Sequence, residues 1–300
     1  MIAQNITELI GNTPILQLQQ FAPNLYGKCE FLNPSHSVKD RPAYAMIDEA
    51  LKTGKITKDT TIVECTSGNM GISLAMICAS LGLKIIITMP ESMSIERRKM
   101  IALFGANLVL TPASEGMQGA LNKAQEILDS TPNSFMPSQF ENLANKEMHK
   151  RTTALEIYKS FEGSLDYFVA GFGTGGTISG VGEVLKEKIP SIKIIGVEPA
   201  ASPLLSKGQA GPHKIQGIGA NFVPKILNRD VIDSIEVVEN EVAIKMAQNL
   251  GKIGVMVGIS SGANVAAALE IAKNNPNKKV LTMLNDTAER YLSTDLFNTL

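Results

Sequence analysis

The sequence predicts an α/β fold of two domains, each built on a mainly parallel, twisted sheet. Short β-branched runs alternate with runs of helical period along most of the 300 residues. That alternation comes in two series, separated by the mostly helical stretch from Glu141 to Phe161. A glycine-rich turn, GFGTGGT from Gly171 to Thr177, joins an apolar strand-like run to a helix-like one in the second series.

The first series opens with the strand-like Thr61 to Cys65, followed by a helical segment from Gly71 to Leu81. Lys84 to Thr88 then leads to Ser94 to Phe104, and Asn107 to Leu110 leads to Glu115 to Leu128. This is a βαβαβ pattern, which implies parallel strands with right-handed crossovers. In the second series Tyr167 to Ala170 is a strand and Ile178 to Lys186 a helix. Ile192 to Glu198 is a strand, Glu239 to Leu250 and Ser261 to Lys273 are helices, and Lys279 to Leu284 is a last buried strand. A domain transition is expected near residue 145, with ligands in the crevice outside the carboxyl ends of the strands.

Composition excludes several classes of function. The chain is 44% hydrophobic and 19% charged, and 28 basic against 29 acidic residues leave a net charge of -1. Neither nucleic acid nor an anionic membrane is an expected partner. The longest apolar runs fall well short of the ~20 residues of a membrane span. The N-terminal MIAQNITELIGNTP has no basic region before an apolar one, so a cytoplasmic protein is expected. Cys29, Cys65 and Cys78 have no metal-ligand spacing and read as reduced thiols, with only Cys65 near a loop of interest.

Three polar loops follow strand-like runs. In the first, Asn33 to Arg41, Lys39 lies at the start of a helix, where the positive end of the helix dipole favours the neutral amine that imine chemistry needs. A surface lysine in a charged first turn is the plainer alternative. The second, Thr66-Ser67-Gly68-Asn69-Met70-Gly71, offers two hydroxyls, an amide and exposed N–H groups, more than a helix cap requires. The third is the glycine turn. Gly171, Gly173 and Gly176 satisfy the G-x-G-x-x-G spacing, and Glu198 stands where a dinucleotide fold places its ribose-binding acid. Thr174 and Thr177 add hydroxyl donors better suited to a single terminal phosphate. On spacing alone a nicotinamide-dependent dehydrogenase stays open beside a monophosphate site.

Taken together, SVKDR, TSGN and GTGGT resemble the cysteine synthase family. So do GNTP at Gly11, MSIERR at Met93, HKIQGIG at His213, GISSGA at Gly258 and ERYLST at Glu289. These are the O-acetylserine sulfhydrylases and cystathionine β-synthase-like enzymes of the fold type II pyridoxal-phosphate class, and the match runs in order along nearly the whole chain.

The resemblance implies a β-replacement at a 3-substituted alanine through an enzyme-bound α-aminoacrylate, most simply cysteine from O-acetylserine and sulfide. Lys39 would hold pyridoxal 5'-phosphate and transfer the substrate α-proton. Thr66, Ser67, Gly68 and Asn69 would bind the α-carboxylate, with Met70, Gln139 and Gly217 around the substrate. Gly173, Thr174, Gly175, Gly176 and Thr177 would cradle the phosphate, and Ser260 would face the pyridine nitrogen. The implied domains are a larger one, 1–34 with 146–300, and a smaller mobile one, 35–145. A homodimer is implied, and the C-terminal tail of serine acetyltransferase is a further partner. No metal is expected.

The pattern is departed from at three places. Met70 replaces the usual threonine, Ser35-His36 replaces a small pair, and Asn285-Asp286-Thr287-Ala288 replaces Pro-Ser-Ser-Gly. Met70 is expected to alter the substrate surface. These departures keep open a cysteine-consuming variant that releases hydrogen sulfide. His36, a few residues from the lysine, reads either as a proton relay or as a rim residue with no catalytic part, and His149 and His213 as structural or surface groups.

Overall fold

Continuous apolar runs become central strands, and runs that alternate become edges. The computed structural model describes residues 2–66 and 68–298. In chain order the strands are β1 (Ile15–Gln17), β2 (Leu25–Cys29), β3 (Thr61–Cys65), β4 (Lys84–Pro90), β5 (Asn107–Thr111), β6 (Ser134–Phe135), β7 (Tyr167–Gly171), β8 (Lys193–Pro199), β9 (Ser234–Val238) and β10 (Val280–Leu284). The helices are α1 (Asp40–Lys52), α2 (Asn69–Leu81), α3 (Ile95–Leu103), α4 (Gly116–Ser130), α5 (Leu143–Arg151), α6 (Thr153–Phe161), α7 (Gly176–Lys188), α8 (Leu204–Lys207), α9 (Asn240–Lys252) and α10 (Ile259–Asn274).

Six strands form one sheet in the order β1-β2-β10-β7-β8-β9, parallel except for the β1–β2 pair. β10, buried at all five positions, runs between β2 and β7 and is covered on both faces. Alternation along the strands divides the core: Val169, Val280 and Leu284 pack on the face covered by α9 and α10, whereas Phe168, Leu281 and Met283 pack with Ile178, Val181 and Leu185 of α7. A second sheet, wholly parallel, has the order β5-β4-β3-β6. Its core joins Ile62, Ile85 and Ile87 to Leu74 and Ile77 of α2.

The two series of elements expected from the sequence are present, with four strands added. The β1–β2 hairpin, the two-residue β6 and the edge strand β9 lack the long apolar runs that mark the others. The chain near residue 145 is not a clean divide: Ala144 and Met148 of α5 pack in the core of the four-stranded sheet. The N-terminal turn lies there too, with Ser80 Oγ donating to Asn5 Oδ1 at 2.6 Å and Ile10 packed on that cluster.

Candidate active site

The parallel strands bring the polar loops together at their carboxyl ends. β2 leads into Glu30 to Lys39, β3 into Thr66, β6 into Gln139, β7 into the glycine turn and β10 into Asn285 and Asp286. Residues far apart in sequence therefore meet in one cleft, as an open parallel sheet requires.

Lys39 is the cap residue of α1, with helical backbone angles. Its side chain is half-buried, and it makes no hydrogen bond through Nζ among the described residues. Burial holds its pKa below the usual lysine range, opposed by the charge of Asp286. The loop before it is folded by Asp40, which accepts from the Ser35 N–H at 2.6 Å and from the Ser35 and Ser73 hydroxyls. Arg290, from ERYLST, donates to the carbonyls of Ser35 and His36. One residue past Asp40, the buried Arg41 forms a fork onto Glu30 at 2.7 and 2.8 Å and reaches Glu156 at 2.7 and 2.8 Å. Lys28 also reaches Glu156, at 2.6 Å. Burial would raise the Glu156 carboxyl, but Arg41 and Lys28 bring it down to about 2. This charge cluster fixes the start of α1, and with it Lys39, to the six-stranded sheet.

On the other side of the cleft, Asn69 begins α2, and among the described residues no side chain caps that helix. Thr66 is buried and its hydroxyl lies 3.4 Å from the Gly68 N–H; Ser67 lies outside the described residues. Asn69 Nδ2 donates to Asp286 Oδ2 at 2.6 Å, and its Oδ1 is buried without a partner. Gln139 is buried after β6, where Ser138 has a positive φ of 58°. The Ser138 N–H donates to Glu64 at 2.9 Å, and burial pushes the Glu64 carboxyl up to about 8.

The glycine turn opens α7 from a left-handed Gly175, again with no side-chain cap. A Cβ at Gly173 would lie 2.5 Å from the Gly217 carbonyl, and one at Gly176 would lie 2.1 Å from Asn145 Oδ1. Only glycine permits these approaches, which leave a concave backbone at a helix N-terminus. Thr174 is buried and accepts from Asn145 Nδ2 at 3.1 Å, while the same amide donates to the Gln139 carbonyl at 2.9 Å. Thr177 lies 3.2 Å from His149 Nε2, and His149 Nδ1 lies 2.9 Å from Thr153. Burial, then the charge of Arg41, brings the His149 pKa down to about 3, so the ring is neutral. Gly217, at φ 99°, stands beside Ser260, whose hydroxyl accepts from Asn285 Nδ2 at 3.2 Å.

These residues fit pyridoxal phosphate. A half-buried lysine whose pKa is held down, a glycine cradle at a helix N-terminus, a hydroxyl opposite and an unpartnered buried Asn69 Oδ1 converge on one cleft. Comparison with known proteins agrees. The family model described as "Pyridoxal-phosphate dependent enzyme" matches residues 6–286. The chain belongs to the pyridoxal-phosphate dependent enzyme family. It is 67% identical over 296 residues to a cysteine synthase B of Campylobacter jejuni, covering 99% of each chain. Among solved structures, the O-acetylserine dependent cystathionine β-synthase from Helicobacter pylori matches with a TM-score of 0.91 and 42% identity, covering 99% of each chain. A hydrogen sulfide-producing enzyme from Fusobacterium nucleatum matches at 0.94 and 44%, covering 97% of this chain and 99% of that one. The protein is an enzyme of this family and its cofactor is pyridoxal phosphate.

Membership removes the dinucleotide reading, and Glu198 supplies the physical reason. Its carboxylate is buried and accepts from the N–H groups of Leu205 and Ser206 at 2.7 and 3.1 Å, so it caps α8. Met70 does not lie on a loop. It belongs to α2, and its side chain is 1% exposed within the apolar core of the four-stranded sheet. The helix begins at Asn69, two residues earlier than the sequence suggests, and carries Met70 into that core. His36 is exposed, as expected of a rim residue. Cys65 donates to the Met117 carbonyl at 3.8 Å, and burial pushes its thiol up to about 11, which suits a packing role. Asn145, His149 and Asp286 are the site residues that sequence reasoning did not select. Only Asp286 carries a signal, a charge directly after a buried apolar strand.

Proposed function

We propose that this enzyme is a cysteine synthase, which replaces the β-substituent of O-acetyl-L-serine with sulfide to give L-cysteine and acetate. The observation that carries this reading is the 67% identity, over nearly the full length of both chains, to a protein named cysteine synthase B. Bound pyridoxal phosphate supplies the electron sink for charge at the substrate α-carbon. Lys39, in SVKDR, is the group that holds it and moves the α-proton; burial favours the neutral amine that can accept one.

Thr66, Ser67, Gly68 and Asn69 bind the substrate α-carboxylate at the helix N-terminus, with Gln139 and Gly217 closing round it. Gly173 to Thr177 hold the phosphate through backbone N–H groups and two hydroxyls. Ser260 accepts from Asn285 and so keeps its own proton to donate to a ring nitrogen. A hydroxyl does not hold that nitrogen protonated as a carboxylate would, which favours prompt loss of a β-leaving group.

A second reading, release of hydrogen sulfide from cysteine, is favoured by the 44% identity to a hydrogen sulfide-producing enzyme. Steady-state assays separate the two. O-Acetylserine plus sulfide should be turned over much faster than cysteine alone, and negligible cysteine formation in the first assay would sink the leading reading.

Residues 35–145 form the smaller, mobile domain in this reading and close on the substrate carboxylate. The enzyme is a cytoplasmic homodimer, which sedimentation would check. The C-terminal tail of serine acetyltransferase enters the same cleft. A peptide of that tail should compete with O-acetylserine, and absence of competition would remove this partner.

A further inference from the structure

Asp286 follows β10 at the cleft and is 1% exposed. Its Oδ2 accepts from Asn69 Nδ2 and from the Tyr291 hydroxyl, both at 2.6 Å. Two donors on one oxygen suit an ionised carboxylate. The other oxygen is buried without a partner, above Gly258, where a Cβ would come within 2.3 Å of it. The backbone is pinned as well: Asp286 bridges to Ser37, and its carbonyl accepts from the Gly258 N–H at 3.1 Å. Burying a half-satisfied carboxylate is unfavourable unless another charge compensates it.

We propose that Asp286 is a positioning residue of the active site: its carboxylate is the counter-ion of Lys39 and, through Asn69 Nδ2, the brace that orients the Asn69 side chain. It thereby joins the lysine loop and the carboxylate loop, which come from different sheets. The negative charge opposes the effect of burial on Lys39, whose pKa still lies below the usual lysine range. Because Asn69 Nδ2 is engaged by Asp286, Oδ1 is the atom of that side chain left without a partner.

The groups facing this pair are few. Tyr291 is pushed above its ordinary pKa by burial, then by Asp286, and stays neutral. Arg97 of α3 lies 5.2 Å from the Tyr291 ring centroid, and Arg290 stands beside it in sequence. His149, which also feels Lys39, is neutral.

The proposal rests on the cysteine synthase reading only for the location of the cleft. Its test is the titration of Lys39 in the cofactor-free protein, followed by competitive acetic anhydride labelling and mass spectrometry, in wild type, Asp286→Ser and Asp286→Asn. Both variants should lower the apparent pKa of Lys39 by about one unit or more, giving roughly tenfold faster labelling below it. In the holoenzyme the pH midpoint of the visible cofactor band should move in the same direction. An apparent pKa within about 0.3 unit of wild type in both variants, with unchanged melting, would overturn the counter-ion. Failure of both to fold would overturn it too, since the charge would then be structural. A failed cysteine synthase assay leaves this titration standing, and an unmoved titration leaves the assay standing.

Discussion

In the proposed mechanism Lys39 is the reactive amine, and burial is what holds its pKa down. Lys39→Ala should lower β-replacement by about 10³-fold or more and alter the visible cofactor band. Steady-state rates and absorbance check both, and retained activity would remove Lys39 from the chemistry. His149 acts at one remove, through the hydroxyl of Thr177. With its pKa brought down to about 3 it stays neutral across ordinary assay conditions. His149→Phe should weaken pyridoxal phosphate binding by about fivefold, the worth of one hydrogen bond. Equilibrium titration of the cofactor-free protein measures this, and an unchanged Kd would make the contact incidental. At this scale Lys39, Asn69 and the glycines are legible because each carries its chemistry in its own residue type. Asn145 and His149 are not, because their parts depend on contacts with Gln139, Thr174 and Thr177 that helical spacing does not encode.

The start of α1 and the end of β3 show how elements hold those residues. Arg41 ties α1 to Glu30, after β2, and to Glu156 of α6 within a buried cluster. Arg41→Ala would leave Glu30 buried and uncompensated, and should cost about 3–5 kcal/mol of stability. Denaturant unfolding measures it, and a loss below about 1 kcal/mol would show that the cluster relaxes. Glu64, at the end of β3, gives a pH signature of opposite origin. Burial raises its folded pKa to about 8, above the unfolded value, so the folded state holds a proton that the unfolded state releases at lower pH. Its stabilising contribution is therefore complete below about pH 4.5 and is lost as pH rises towards 8. Glu64→Gln should gain on wild type over that window by up to about 1.4 kcal/mol per pH unit. Unfolding at several pH values tests this, and a difference that stays flat with pH would mean Glu64 is ionised. Elements with long apolar runs are legible in the sequence, whereas β6, two residues long, exists only because β3 is there to pair with it.

The whole molecule is two sheets whose carboxyl ends face one cleft, and α5 belongs to both sides of it. Ala144 and Met148 pack in the core of the four-stranded sheet, while Asn145 and His149 bond to the glycine turn opposite. Alternation in the sequence revealed two series of elements but not this shared helix, since packing on two sides needs no change of period. Across the cleft, Asn69 bonds to Asp286, and the Ser293 hydroxyl donates to Glu96 at 3.1 Å. Further ties cross as well: Arg41 pairs with Glu30 and Glu156, Arg290 donates to the Ser35 and His36 carbonyls, and Phe140 packs edge-on against Phe222, while each sheet keeps its own apolar core. In the proposed closure, a substrate carboxylate at the N-terminus of α2 adds the contacts that favour the closed form. A non-reacting amino-acid analogue with a free α-carboxylate should therefore reduce the radius of gyration of the holoenzyme in solution scattering. The same analogue lacking the carboxylate should not. Equal compaction by both, or by neither, would show that the carboxylate loop does not drive closure.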